Sequence, residues 1–171
     1  RVILATHARD SLALLADPTP EEREVLGAFP YSDNIATLHT DDSVMPRKRL
    51  AWSSWNYLIR RGAAGRPETS TVYWMNNLQG VSARENYFVS INGADAIDPA
   101  KVIRTFRYAH PHFSLAAIRA QARLPELNAR ALTTTRTFLA GAWARYGFHE
   151  DGLWSALNVA QLLLGRDPWQ A

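Results

Sequence analysis

Apolar and polar positions change rhythm twice along this chain. At each end stands a continuous apolar run, Val2 to Ala5 and Phe138 to Trp143, with small residues toward its end. Such runs suit strands of a parallel sheet covered on both faces, with no polar side to alternate against. Between them the rhythm has period two. Asn34–Thr40, Thr71–Asn76, Tyr87–Ile91 and Val102–Tyr108 alternate, and Trp52–Leu58 is apolar and aromatic with Ser53, Ser54 and Asn56 interleaved. Links here are short: Asp41-Asp-Ser43, Asn92-Gly93 and Ile97-Asp-Pro99 read as turns, and Arg60–Thr69 as a loop. About five strands with short links predict a largely antiparallel sheet.

Helical spacing fills the rest. Leu153, Leu157, Ala160 and Leu164 form one apolar face, with Glu150 and Asp151 at the start and Gly165 and Pro168 as stop signals. Thr19, Pro20 and the acids after them make a capped start for a helix closed by Val25, Leu26 and Phe29. Ser11–Leu15 reads as a short helix. Phe113–Leu127 is a longer one, interrupted near Pro125, and Asn128–Arg136 is a polar connection.

The C-terminal pattern carries the chemistry. A strand entering a helix through Gly141 and the Tyr146–Gly152 turn aims backbone N–H groups and a positive dipole end at one point. That suits an anionic or strongly polar ligand group, although an ordinary strand–turn–helix unit has the same pattern.

Composition narrows the classes. The 171 residues are 47% hydrophobic with six Trp, enough for a core. A net charge of +3 is too weak to argue for nucleic acid. There is no cysteine, hence no disulfide framework and no thiolate metal site, which fits a reducing, cytoplasmic setting. His110-Pro-His112 lacks a third ligand at obvious spacing, so a bend before a helix is favoured over a metal. His149-Glu-Asp151 holds triad residue types, but neighbours in sequence cannot point together as a relay. Arg47-Lys-Arg49 beside Trp52 and Trp55 reads as a solvated loop.

Several stretches, in order and spread over nearly the whole chain, resemble the flavin amine oxidase superfamily, in particular its bacterial NAD/FAD-binding, amine-oxidase-like members. They are Val2-Ile-Leu-Ala-Thr-His7, Leu14-Leu-Ala-Asp-Pro-Thr-Pro-Glu-Glu-Arg23, His39-Thr-Asp41, Trp52-Ser-Ser-Trp-Asn-Tyr57, Tyr73-Trp-Met-Asn76, Ile97–Ile103, Gln121–Pro125, Gly141-Ala-Trp143 and Tyr146–Ala156. The family often has Gly where this chain has Ala156.

The resemblance implies an α/β fold with an α+β insertion. The C-terminal part of a FAD/NAD(P)-binding, Rossmann-like domain would flank a mainly antiparallel substrate-domain sheet. Residues 1–16 and 133–171 would belong to the FAD-binding domain and 17–132 to the substrate domain. FAD would meet Gly141, Ala142, Tyr146, Glu150, Asp151, Gly152 and Leu153, with the helix start at the pyrimidine end of the ring, where reduced flavin carries charge. Trp52, Trp55, Tyr73, Trp74 and Asn76 are the candidate substrate pocket. Adjacent aromatics in a strand face opposite sides of a sheet, so one of each pair is free to wall a cavity.

The implied activity is hydride transfer from a substrate C–H bond to flavin, with no catalytic base assigned. The resemblance does not fix the substrate: it is compatible with a small molecule such as an amine and with a lipid-like acyl chain, and with peripheral membrane contact. No Gly-x-Gly-x-x-Gly turn occurs, and Gly62-Ala-Ala-Gly65 does not supply one, because no strand is expected before it and Arg60 and Arg61 precede it. The chain is therefore expected to be a C-terminal fragment, inactive alone, whose partner is the N-terminal half of the flavoprotein. The competing expectations are a non-catalytic binding or structural module that no longer holds flavin, and a standalone α/β domain for another nucleotide.

Overall fold

A computed structural model describes residues 1–61 and 65–170. They form a mixed α/β fold with a two-stranded parallel sheet and a five-stranded sheet, and the chain divides into two compact units. One unit is residues 1–32 with 111–171; the other is residues 33–110. The helices at 20–27 and 115–131, expected with the middle segment, thus lie in the unit that holds both chain ends. They go there because their apolar faces pack into the core of that unit, through Val25, Leu26, Ala117, Leu124 and Leu127.

In the first unit, β1 (Val2–Leu4) pairs in parallel with β7 (Thr137–Leu139), with Ile3 opposite Phe138. The two apolar runs are neighbours in a sheet separate from the middle one, as their shared pattern predicts. β7 is buried on both faces, Phe138 toward Ala131 and Val159 and Leu139 toward Leu124 and Trp143. β1 is not, because only Leu4 reaches the core; Val2 and Ile3 are 53% and 52% exposed.

Three helices cover one side of β7. α1 (Ala8–Leu14) leads into α2 (Pro20–Gly27), whose Thr19 hydroxyl accepts from Glu22 N while the Glu22 carboxylate accepts from Thr19 N at 2.7 Å. That reciprocal cap fixes the helix start at the Thr19-Pro20 signal.

After α3 (Met75–Gln79), which belongs to the second unit, the third of these helices is α4 (Leu115–Ala131), capped by the Ser114 hydroxyl. It runs through Pro125, where an interruption was expected. Burial of Leu127, Asn128 and Ala131 beyond the proline outweighs the lost hydrogen bond. Asn128 bonds the backbone of β7 with both ends of its amide, Nδ2 donating to Leu139 O at 2.9 Å and Oδ1 accepting from Leu139 N at 2.8 Å.

The second unit holds the five-stranded sheet, in spatial order β3 (Trp55–Arg61), β4 (Pro67–Trp74), β5 (Phe88–Ile91), β2 (Tyr31–His39) and β6 (Val102–Pro111). The first three neighbouring pairs are antiparallel. Thr40 bonded to Lys101 at one end and Asn34 to His110 at the other make β2 and β6 antiparallel as well. The expected loop over Arg60–Thr69 is largely strand, since β3 and β4 continue pairing out to Arg61 and Pro67. Gly62, Ala63 and Ala64 lie outside the described residues. A strand therefore does precede Gly62, contrary to expectation. Among the described residues β4 follows and no helix does, so the strand–turn–helix order of a dinucleotide fingerprint is not met.

One face of this sheet, with Val72 and Phe88, carries the core; Val44, Met45 and Ile97 close over it, with Trp52, Leu58 and Trp74 at its margin. Among the described residues no helix is long and apolar enough to cross a membrane, and no group of His, Asp and Glu is placed to hold a metal.

Candidate functional site

The strand-to-helix passage is tighter than the apolar run suggests. β7 stops at Leu139, and a short 3-10 turn over Ala142–Ala144 replaces the expected strand end. Gly141 forces the break, with φ of 146°, a conformation other residues avoid. A Cβ there would also lie 2.6 Å from Trp143 Nε1 and 3.3 Å from Thr6 O. The demand for glycine at 141 is met inside the chain, by the indole that donates to Thr6 O at 2.9 Å. Gly141 N donates to Ser155 Oγ, which in turn donates to Gly152 O, both at 2.8 Å. One serine thus ties the strand end to the first turns of α5 (His149–Leu164).

Phe148 is the N-cap of α5, and Asp151 Oδ2 accepts from Phe148 N at 2.9 Å. Asp151 is buried by this role, with Arg145 Nε 3.9 Å from its other oxygen. The backbone N–H groups of Asp151 and Gly152 both bond Phe148 O, at 3.1 and 3.2 Å. The first-turn donors that keep no protein acceptor among the described residues are one step earlier, at His149 and Glu150.

Around this terminus the surface is apolar and open. Tyr146 and Phe148 are 67% and 71% exposed, and Leu153 is half exposed. The Arg145 guanidinium lies between the Tyr146 and Trp154 rings, 5.2 and 5.3 Å from their centres. Ala142 sits against Gly152, whose added Cβ would meet nothing closer than 3.9 Å. All seven residues expected at a cofactor thus fall on one passage. Gly141 and Asp151 serve internal packing and capping, while Tyr146, Glu150 and Leu153 face outward.

A cavity of about 300 Å³ lies behind this passage, between α4, α5 and β7, and sequence reasoning missed it. Leu124, Leu139 and Leu162 floor it, Trp154 walls it, and Asn158 and Gln161 bring amides. The signal was two amides three positions apart interrupting an otherwise apolar helix.

The five candidate pocket residues of the second unit do not share one cavity. Trp52 and Trp74 pack edge to face, 5.3 Å between centres, on the core side of the sheet. Their indole N–H groups donate to Pro46 O and Asn86 Oδ1. Arg49 stacks over both rings, 3.9 and 4.6 Å from their centres, so part of the basic loop is a packing element. Trp55 and Tyr73 stack on each other on the opposite face, 6.4 Å apart. Asn76 is consumed by the 80–87 loop: it donates to Ser82 O and Glu85 O and accepts from Tyr87 N.

His39-Thr-Asp41 forms a buried latch. Asp41 N donates to His39 Nδ1 at 3.2 Å, so Nε2 carries the proton and donates to Ser90 Oγ at 2.8 Å. Burial pushes the imidazole pKa down despite the nearby Asp41. Burial also pushes the Asp41 carboxyl up, but donation from Asp98 N, Ser43 N and Lys101 Nζ outweighs it and holds the group well below the usual carboxylate range. The chemistry here is neutral imidazole and fixed anion, both fully engaged by protein, which describes a fastening and not a catalytic pair.

No protein-family model matches this chain, and a comparison with curated proteins gives no match.

Proposed function

We propose that this chain carries the ring-facing part of a FAD-dependent oxidoreductase of the amine-oxidase-like class, with a Rossmann-like origin for the unit that contains β1 and β7. What supports the reading is one observation: a buried strand, broken at Gly141, delivers a helix whose first-turn N–H groups at His149 and Glu150 stay unpaired beside exposed Tyr146, Phe148 and Leu153. A planar, electron-rich group fits that surface, with its polar edge at the N–H groups and its faces on apolar side chains. Gly152 leaves room at the same end of the helix.

Bound there, the flavin supplies the hydride acceptor. The chain's own part is positional. The α5 dipole and the His149 and Glu150 N–H groups would hold the polar edge of such a ring and favour negative charge there. Ser155 and Asp151 hold the passage rigid through Gly141 N and Phe148 N. Tyr146, Phe148 and Leu153 would offer the ring apolar contact. No residue of the passage is assigned as base.

The test is an amide NMR titration of the chain with FAD. Shifts concentrated at His149, Glu150 and Gly152, lost in Gly152→Glu, are expected. Unmoved amides at those positions with millimolar FAD, or shifts centred elsewhere, would overturn the assignment.

A non-catalytic module is the second reading, favoured by the dispersal of Trp52, Trp55, Tyr73, Trp74 and Asn76 over two faces and a loop. Flavin-dependent turnover of any amine or acyl substrate by the flavin-loaded protein rules that reading out.

A further inference from the structure

The free edge of β3 is the part of the second unit that the preceding assignments leave unused. Among the described residues β3 is terminal in the five-stranded sheet and pairs only with β4. Trp74 N bonds Ser54 O, and the register places residue 54 opposite 74. Hydrogen-bonded pairs alternate from there, so Asn56, Leu58 and Arg60 turn their backbone groups toward β4. Trp55, Tyr57, Ile59 and Arg61 turn theirs to the open side. The side chains of the same four residues share one sheet face. Three of them are strongly exposed: Trp55 63%, Tyr57 60% and Ile59 68%. Neither proline, lysine nor a bulge blunts the strand, and its two arginines stand together at the C-terminal end.

This edge is complementary to itself. Two copies laid antiparallel about Leu58 put Trp55 opposite Arg61 and Tyr57 opposite Ile59, all four as hydrogen-bonded pairs with outward backbone groups. On the other face Asn56 meets Arg60 and Leu58 meets its own copy. No like charges oppose each other, whereas centring on Arg60 or Arg61 stacks guanidinium against guanidinium. Such a pairing would set the Arg61 guanidinium beside the Trp55 ring, and the four residue pairs would supply about eight inter-chain backbone bonds.

We propose that β3 is a homodimerisation edge, joining two copies of this chain antiparallel about Leu58 into one continuous ten-stranded sheet. This inference is independent of the flavin assignment.

The test is the mass in solution by light scattering and sedimentation. Twice the 19.2 kDa chain mass is expected. Ile59→Pro removes an outward N–H that β4 does not use, so it is expected to leave the circular dichroism spectrum intact and weaken dimerisation about tenfold or more. Ile59→Lys keeps the backbone and is expected to weaken dimerisation through side-chain charge alone.

The register is read separately, because the sequence has no cysteine to interfere. Tyr57→Cys mixed with Ile59→Cys is expected to form a disulfide-linked dimer, since opposed residues sit about 5.5 Å apart at Cα. Either variant alone is expected to stay unlinked, its own pair being about 7–8 Å apart on the diagonal. A monomer at all concentrations, a larger aggregate, a dimer unaffected by both Ile59 variants, or cross-linking of a single variant alone would each overturn the proposal.

Discussion

Asp41→Ala removes one acceptor from three donors at once. Asp98 N, Ser43 N and Lys101 Nζ approach its carboxylate at 2.8, 3.1 and 3.1 Å, and the side chain is 2% exposed. Each stranded, partly buried N–H costs about 1 kcal/mol, the low end for an orphaned donor. Lys101 is 43% exposed and turns to water when released, so its ion pair adds little to the loss. The expected loss is about 2 kcal/mol at pH 7, which with a urea slope of about 2 kcal/mol/M moves the midpoint down by about 1 M. The loss depends on pH. The folded carboxyl keeps its charge where the unfolded one, ordinarily near 3.8, takes up a proton. Wild-type stability therefore falls with pH below that value while the variant lacks this component, and the gap narrows by about 1 kcal/mol at pH 3. Urea unfolding at pH 7 and pH 3, followed by far-UV circular dichroism, measures both numbers. A loss below about 1 kcal/mol, or one that widens at pH 3, refutes the latch.

Gly141→Ala is expected to cost about 2–4 kcal/mol, from the Trp143 clash and the left-handed backbone, whereas Gly152→Ala, with ordinary contacts inside a helix, is expected to stabilise by about 0.5–1 kcal/mol; thermal melts of both decide. Thr37→Val is expected to add about 1 kcal/mol, because the Thr37 hydroxyl is buried without a hydrogen-bond partner, and urea unfolding reads it. His39 is held neutral below its ordinary value near 6.5, so unfolding takes up a proton as pH falls through that value and stability declines. His39→Leu is expected to flatten the stability profile between pH 7.5 and 5; an unchanged slope counts against the buried neutral ring.

Period and continuity of the apolar residues made much of the fold legible. Two uninterrupted runs announced β1 and β7 as partners, and the alternating middle announced an antiparallel sheet. Pro125 misled because local propensity says nothing of the burial awaiting Leu127 and Ala131. Arg60–Thr69 misled because Gly, Arg and Pro are loop residues on average, while cross-strand pairing with a formed hairpin decides the case. Val2 and Ile3 look like core and are half exposed, since an apolar run reveals preference and not the presence of a cover. At the candidate site, small residues at 141 and 152 were visible, but their reasons were not. The neighbour that demands Gly141 is Trp143, two residues on, and only the backbone angle brings it there. Asn76 looked like a pocket amide because hydrogen bonds to a later loop leave no trace in composition.

Asn128 gives the small sheet a polarity of growth. Its side-chain amide offers Leu139 one donor and one acceptor, the same pair a peptide group of an adjoining strand would offer. It is in effect a one-residue counterfeit strand, set on the flank of β7 away from β1 and held there by a helix. A real strand arriving on that flank would have to evict it. Addition is left to the outer flank of β1, a strand whose Val2 and Ile3 side chains are half exposed on opposite faces. A single helical asparagine therefore converts a two-edged ribbon into a one-ended template.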